Sequence, residues 1–254
     1  MPRRYARQLI AYFCFAVGLA ALPASAQLVA SRDLTSGWRV PAEHISMPET
    51  CEKPRSSVVN GDQPAKAGVA KPKDLELSIV QTSPAKLEIG NDFNATVRLK
   101  NIGADPVRVP SSADGERVLH TSADGTEEKY EVGDISFRLA TGTQHGVPVY
   151  LNSSGALFAD PDDKTTYLTL EPGKWLDIKL HARVECGMEN CMGDIQPDSK
   201  AALSAWWYER VLSHRVNACQ ETHGSFTVRE LDSAPFTIEV DNPARKMSAA
   251  VRNY

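Results

Sequence analysis

An all-β fold, built as a sandwich or barrel of antiparallel strands, is what the apolar spacing of this chain predicts, and three observations carry that prediction. From Asp74 onward apolar residues recur at every second position. No segment after residue 74 shows a long, capped 3.6-residue pattern, and turns rich in Gly, Pro and Asp separate the alternating runs. Many short strands joined by such turns bury their apolar faces only by packing one sheet on another or by closing a barrel.

The first element precedes the sandwich. Arg3, Arg4 and Arg7 stand ahead of an apolar run from Leu9 to Leu22, which Ala24-Ser25-Ala26 closes. A basic start, a short apolar centre and a small-residue end predict a secretory signal peptide over residues 1–26, with the mature chain starting at Gln27 in the periplasm or outside the cell. The run is too short for a membrane span, and no other stretch approaches the apolar length a bilayer needs. No cysteine stands at the cleavage point, so no lipid anchor is expected; Cys14 leaves with the signal.

Residues 27 to 50 hold Leu28, Trp38, Val40 and Ile45 without a sustained period and predict an extended arm. Glu52 to Lys73, with Pro54, Pro64 and Pro72 and almost no large apolar side chain, reads as a linker or surface crossing. Arm and linker together span 27–73. The sandwich follows over 74–241, and 242–254 is a tail.

Within the sandwich Leu75, Leu77 and Ile79 alternate with Glu76 and Ser78, and Phe93, Ala95, Val97 and Leu99 alternate with Asn94, Thr96, Arg98 and Lys100. The same period of two returns at Ile135-Phe137-Leu139, from Leu176 to Val184, and at Phe236-Ile238-Val240. Shorter strands are predicted near 107–109, 147–151, 167–170, 203–211 and 225–228. Turns are predicted at Ser83-Pro84, Gly90-Asn91-Asp92, Gly103 to Pro106, Ala123-Asp124-Gly125 and Glu171-Pro172-Gly173. The near-repeat Ser112 to Gly115 and Ser122 to Gly125 reads as two hairpin-type turns at the ends of one strand.

The run from Leu75 to Pro110 contains a strand, the turn Ile89-Gly90-Asn91-Asp92, a second strand, Lys100-Asn101-Ile102-Gly103, and Pro106-Val107-Arg108-Val109. It resembles the opening strands of bacterial secreted immunoglobulin-like β-sandwich domains. Leu170 to Lys174 and the closing Ala234 to Val240 resemble their late strands. The resemblance covers residues 74–241 in patches and implies an immunoglobulin-like antiparallel β-sandwich, with no particular activity. That span exceeds the ~100 residues of a minimal domain of this kind, so long inserted loops are expected at 110–130, 152–165 and 185–202. Binding sites on sandwiches concentrate in such loops.

Loss of the signal removes three of the 28 Lys and Arg, leaving 25 against 32 Asp and Glu, a formal charge of −7 on the mature chain. A mildly acidic surface of mixed sign argues against nucleic acid and anionic lipid as partners, since both recruit clustered Lys and Arg. Four cysteines survive maturation: Cys51, Cys186, Cys191 and Cys219. An even number in an exported chain predicts two disulfides with three possible connectivities. Gly187 and Asn190 suit a tight turn between Cys186 and Cys191, so the favoured pairing is Cys186 with Cys191 and Cys51 with Cys219.

Candidate binding residues come from Trp206-Trp207-Tyr208. In a strand Leu203, Ala205 and Trp207 enter the core while Trp206 and Tyr208 point outward, and Glu209 and Arg210 continue the two faces. Outward aromatics stack on sugars or anchor protein interfaces; cover by the arm or a long loop is the structural alternative for Trp206. Trp175 joins them as a candidate, on a polar strand face shared with Asp177, Lys179, His181 and Arg183. His181, Met188 and Met192, beside Cys186 and Cys191, offer soft ligands for copper, although a Cys186–Cys191 disulfide removes both thiolates. A disulfide-closed hairpin with a solvated His181 is the simpler reading. Asp160-Pro161-Asp162-Asp163 lacks the spacing of a calcium loop and reads as an acidic turn. The sequons at Asn94 and Asn152 carry little weight in a bacterial host.

No G-x-S-x-G elbow, no H-E-x-x-H and no phosphate loop is present, and the six histidines lie far apart. No cofactor and no catalytic residue is therefore expected. The sequence predicts an exported, noncatalytic binding module for a protein partner. The alternatives are carbohydrate binding through the outward aromatics and copper handling through His181, Met188 and Met192.

Overall fold

In the computed structural model, the described residues are 27–42, 44–46, 51, 55–58, 73–141, 149–184, 199–217 and 219–242. They form fourteen strands and two short 3-10 helices, so the all-β prediction holds. A four-stranded sheet runs in the order β1 (Gln27–Asp33), β11 (Lys174–Arg183), β5 (Asp92–Asn101), β3 (Leu75–Ser83). Alternation is strict in its two central strands: Phe93, Ala95, Val97 and Leu99 of β5 and Leu176, Ile178, Leu180 and Ala182 of β11 are buried on one face.

The larger sheet has β12 (Ser199–Asn217) at its centre. One edge of β12 pairs along its length with β8 (Glu127–Thr141), which in turn pairs with β9 (Val149–Ala159). The other edge is divided: Ser199–Leu203 pair with β14 (Phe236–Asp241), and Trp206–Asn217 pair with β13 (Gln220–Asp232). Odd-numbered Leu203, Ala205 and Trp207 face the four-stranded sheet and join one core with its apolar residues, as alternation requires. Phe93 of β5 and Phe137 of β8 meet edge to face across that core, ring centres 5.9 Å apart.

Two glycines make this packing possible. A Cβ on Gly133 would lie 2.1 Å from the Trp207 ring, and one on Gly155 would lie 2.1 Å from Leu180 Cδ2. Each glycine marks a place where a large side chain needs the backbone of its neighbour to be bare. Gly133→Ala is expected to destabilise the protein by roughly 1–3 kcal/mol through overpacking of Trp207. Urea unfolding measures this, and an unchanged midpoint would mean that Trp207 has room to move.

The arm docks on its own chain. β1 pairs with β11, Leu34 is buried in the main core, and Arg39 accepts from Gly115 N at 2.8 Å. A Cβ on Gly115 would meet Pro41 Cδ at 2.4 Å, so arm and 3-10 helix (Gly115–Val118) are in close contact. Beneath them lies a second apolar cluster on the outer face of the large sheet: Val118, Val132, Ala156 and Phe158, with Trp38, Tyr130 and Leu212 packed against it. Cys51 is bonded to Cys219, Cα atoms 5.3 Å apart, at the turn between β12 and β13.

Several expectations need correction. The pairing is not wholly antiparallel: β1 with β11, β2 (Arg55–Val58) with β13, and β4 (Lys86–Glu88) with β14 are parallel. β2 falls inside the predicted linker. The expected loop at 152–165 is largely strand β9, with Gly155 to Ala159 buried, and the turn around Asp160 follows it. Of the paired Ser-Ala-Asp-Gly turns, Ser122 to Gly125 joins β7 (His120–Thr121) to β8, with Gly125 at φ +68°. Ser112 to Gly115 instead leads into the 3-10 helix against the arm. The predicted signal peptide and the Cys186–Cys191 pair, with Met188 and Met192, lie outside the described residues.

Candidate functional site

The outer face of the large sheet carries the predicted aromatics. Trp206 and Tyr208, successive outward residues of β12, stack with ring centres 5.3 Å apart and planes 20° apart. The Arg210 guanidinium continues the row, 4.9 Å from the Tyr208 ring centre. Each member has a polar anchor in the same sheet: Trp206 Nε1 donates to Glu230 Oε1 at 3.0 Å, Tyr208 Oη lies 2.8 Å from Thr227 Oγ1, and Arg210 pairs with Asp134. Trp206 and Tyr208 are half-buried, and these contacts come from β8, β12 and β13. At the other end of the same face the arm covers the second apolar cluster.

Trp175 does not join this group. It lies on the outer face of the other sheet, where Arg98 stacks on its ring at 4.4 Å and forks onto Asp177 at 2.8 and 2.9 Å. His181 is on that same face, exposed, with Nδ1 3.1 Å from Asn94 Oδ1 and Nε2 3.7 Å from Asp92. Among the described residues no sulfur ligand accompanies it.

The acidic turn is internally satisfied. Asp160 Oδ1 accepts from Asp162 N, Asp163 Oδ1 accepts from Thr165 N and Oγ1, and His120 lies between Asp160 and Asp162. Lys129 Nζ sits 2.6 Å from Asp162, and its hydrogen bond holds that carboxyl below the usual carboxylate range. The Lys129 ammonium thus neutralises one carboxylate of this turn.

The inner face of β12 carries a group that no sequence motif marks. Glu209, two residues beyond Trp207, is fully buried. Its Oε2 accepts from Trp207 Nε1 at 3.0 Å and pairs with Arg229 Nε at 3.2 Å. Glu131 of β8, itself buried, lies beside Glu209 and accepts from Tyr167 Oη at 2.8 Å. Two neighbouring buried carboxyl groups disfavour carrying two negative charges, so one is favoured in its protonated form. Burial pushes the Glu209 carboxyl up to about 8, with Arg229 opposing and Glu131 reinforcing the shift. Burial and the Glu131 bond also raise the Tyr167 phenol. Arg108 lies 5.3 Å from the Tyr167 ring centre, and with Asp74 and Val228 these groups line a cleft of about 400 Å³. The alternation that sends Trp207 inward also sends Glu209 inward, so its burial was available from residue parity.

No protein-family model and no curated protein matches the chain. Among solved structures it is similar to the alkylpurine DNA glycosylase AlkC of Pseudomonas fluorescens, with TM-score 0.28 and 11% identity over 66% of this chain and 30% of that one. It is similar to the sporulation control protein Spo0M of Bacillus subtilis, with TM-score 0.28 and 9% identity over 67% of this chain and 50% of that one. It is also similar to AvmM, which catalyses macrocyclization in alchivemycin A biosynthesis, with TM-score 0.28 and 8% identity over 69% and 93%. The chain thus spans half or less of the first two, and likenesses this slight carry no argument about activity.

Proposed function

We propose that the protein is an exported, noncatalytic binding module, an immunoglobulin-like sandwich extended by its arm, that holds a protein partner on the outer face of the large sheet. The Trp206–Tyr208–Arg210 row supports this reading most directly. Trp, Tyr and Arg are the residue types that dominate interface energetics. Here their rotamers are fixed in advance by Glu230, Thr227 and Asp134, so docking on them costs little side-chain entropy. The arm's cover over the far end of the face leaves this row as its aromatic part outside the second cluster. No helix among the described residues is long and apolar enough to cross a membrane.

A glycan is supported less, because Tyr208 is flanked along the strand by Trp206 and Arg210, which occupy the ring faces a sugar would need. Among the described residues, copper at His181 is supported by one exposed imidazole. The test is affinity capture from envelope extracts with wild type and a Trp206→Ala, Tyr208→Ala double variant. The expected result is a discrete partner held by wild type and bound at least about thirtyfold more weakly by the variant, with both proteins folded. Recovery of no partner, or equal recovery by both proteins, would overturn the reading.

A further inference from the structure

We propose that His214, Glu221 and His223 form a binding site for a divalent transition-metal ion of the zinc or copper(II) class. The three residues come from one hairpin. His214 of β12 stands directly opposite His223 of β13, and Glu221, two residues before His223, points to the same side of the sheet. The alignment brings two imidazoles and a carboxylate together: His214 Nε2 is 2.9 Å and His223 Nε2 is 3.5 Å from the same oxygen, Glu221 Oε1. One ligand atom from each residue falls within 4.8 Å of the other two.

The 2.9 Å contact is a hydrogen bond between His214 and Glu221, and a bound ion would replace it by widening the pair to the spacing of a coordination shell. Bonds of about 2.0–2.2 Å to a tetrahedral ion place neighbouring ligand atoms roughly 3.3–3.5 Å apart. Two imidazoles with one carboxylate are donors that zinc and copper(II) accept, whereas calcium and magnesium take oxygen shells. The two rings are stacked, centres 4.6 Å apart and planes 3° apart. An ion lying in both ring planes therefore requires one ring to turn out of the stack. His223 is the more accessible of the two, 37% against 4% exposed, so it is the ring that turns while His214 stays as the fixed ligand.

The supports are rigid. Cys219, bonded to Cys51, sits in the hairpin turn, and β2 pairs with Gln220 to His223 on the outer edge. Ligands on paired strands hold geometry better than ligands on loops. Beside the two histidines a cavity of about 160 Å³, lined also by Glu128, Tyr130 and Ser213, leaves space for water or another small ligand to complete the shell. Three protein ligands and one such position describe an open metal site. The site stands apart from the aromatic row and from His181.

The proposal is tested by titrating tag-free, disulfide-bonded mature protein with Zn²⁺ and, separately, Cu²⁺ by calorimetry, and with Co²⁺ by visible absorption. The expected result is one ion per chain, with tetrahedral cobalt bands. Binding should weaken at least tenfold in His223→Ala and stay unchanged in His181→Ala. His223 is the partly exposed ligand, so its variant should keep the wild-type circular dichroism spectrum even where a His214 variant fails to fold. Absence of stoichiometric binding, or binding equal in His223→Ala and wild type, would overturn the assignment. Loss of binding in His181→Ala alone would place the metal on the other sheet.

Discussion

Glu209→Gln is expected to abolish a fall in stability that the wild-type protein shows between about pH 4.5 and pH 8. The native state keeps a proton on Glu209 up to about pH 8, whereas the unfolded chain releases it near the ordinary value of 4.5. Across that window the folded protein binds more protons than the unfolded one, so stability decreases as pH rises. The contribution is fully present below 4.5, is lost as pH passes through about 8, and is flat beyond. One proton corresponds to a slope of about 1.4 kcal/mol per pH unit, and the integrated effect is on the order of a few kcal/mol. Gln mimics the protonated acid: its oxygen accepts from Trp207 and its amide places no second charge beside Glu131. The measurement is urea unfolding of both proteins at several pH values from 4 to 9. The wild-type minus variant difference should move steadily against wild type as pH rises, and parallel profiles would show that Glu209 is ionised throughout.

Removing the Cys51–Cys219 bond should have an effect of similar size. The bond joins residues 168 apart in sequence. In the chain-entropy model, a closed loop of that size is worth on the order of 4–5 kcal/mol. A Cys51→Ser, Cys219→Ser variant is expected to lose a large part of that stability in denaturant. Beyond stability, the bond holds Cys51 at the β12–β13 turn, with β2 on the adjoining edge. The variant should therefore show faster proteolysis within β2, before the two sheets are cut. Equal stability and equal cleavage would mean that strand pairing alone holds β2.

Much of the sandwich was legible because its central strands are half-buried, and half-burial writes a period of two into the chain. β5, β11 and the middle of β8 follow it without a break, and the outward placement of Trp206 and Tyr208 comes from the same parity. β9 was not legible: Asn152-Ser153-Ser154-Gly155 has the composition of a turn, and Gly155 is there because Leu180 of a distant strand fills the space of its Cβ. β1, β2 and β4 are short edge strands that take their structure from their partners rather than from apolar content. The chemistry was hidden for a related reason. Glu209 could have been found by carrying the inward parity two residues past Trp207, but its pairing with Glu131 and Arg229 needs three strands in register. His214 and His223 meet only because the turn at Cys219 sets them opposite one another, and no local motif specifies that offset.

β1 of the arm and β2 of the segment after it pair with strands that are synthesised much later: β1 with β11 and β2 with β13. Because synthesis runs from the N terminus, the arm has no partner until most of the chain has been made. During that interval β1 and β2 stand without their partners and are open to pairing with other chains. Contacts this distant in sequence also slow the search for the native state. The fold therefore has a vulnerable period before the arm closes, during which holding by a chaperone would raise the yield of native protein.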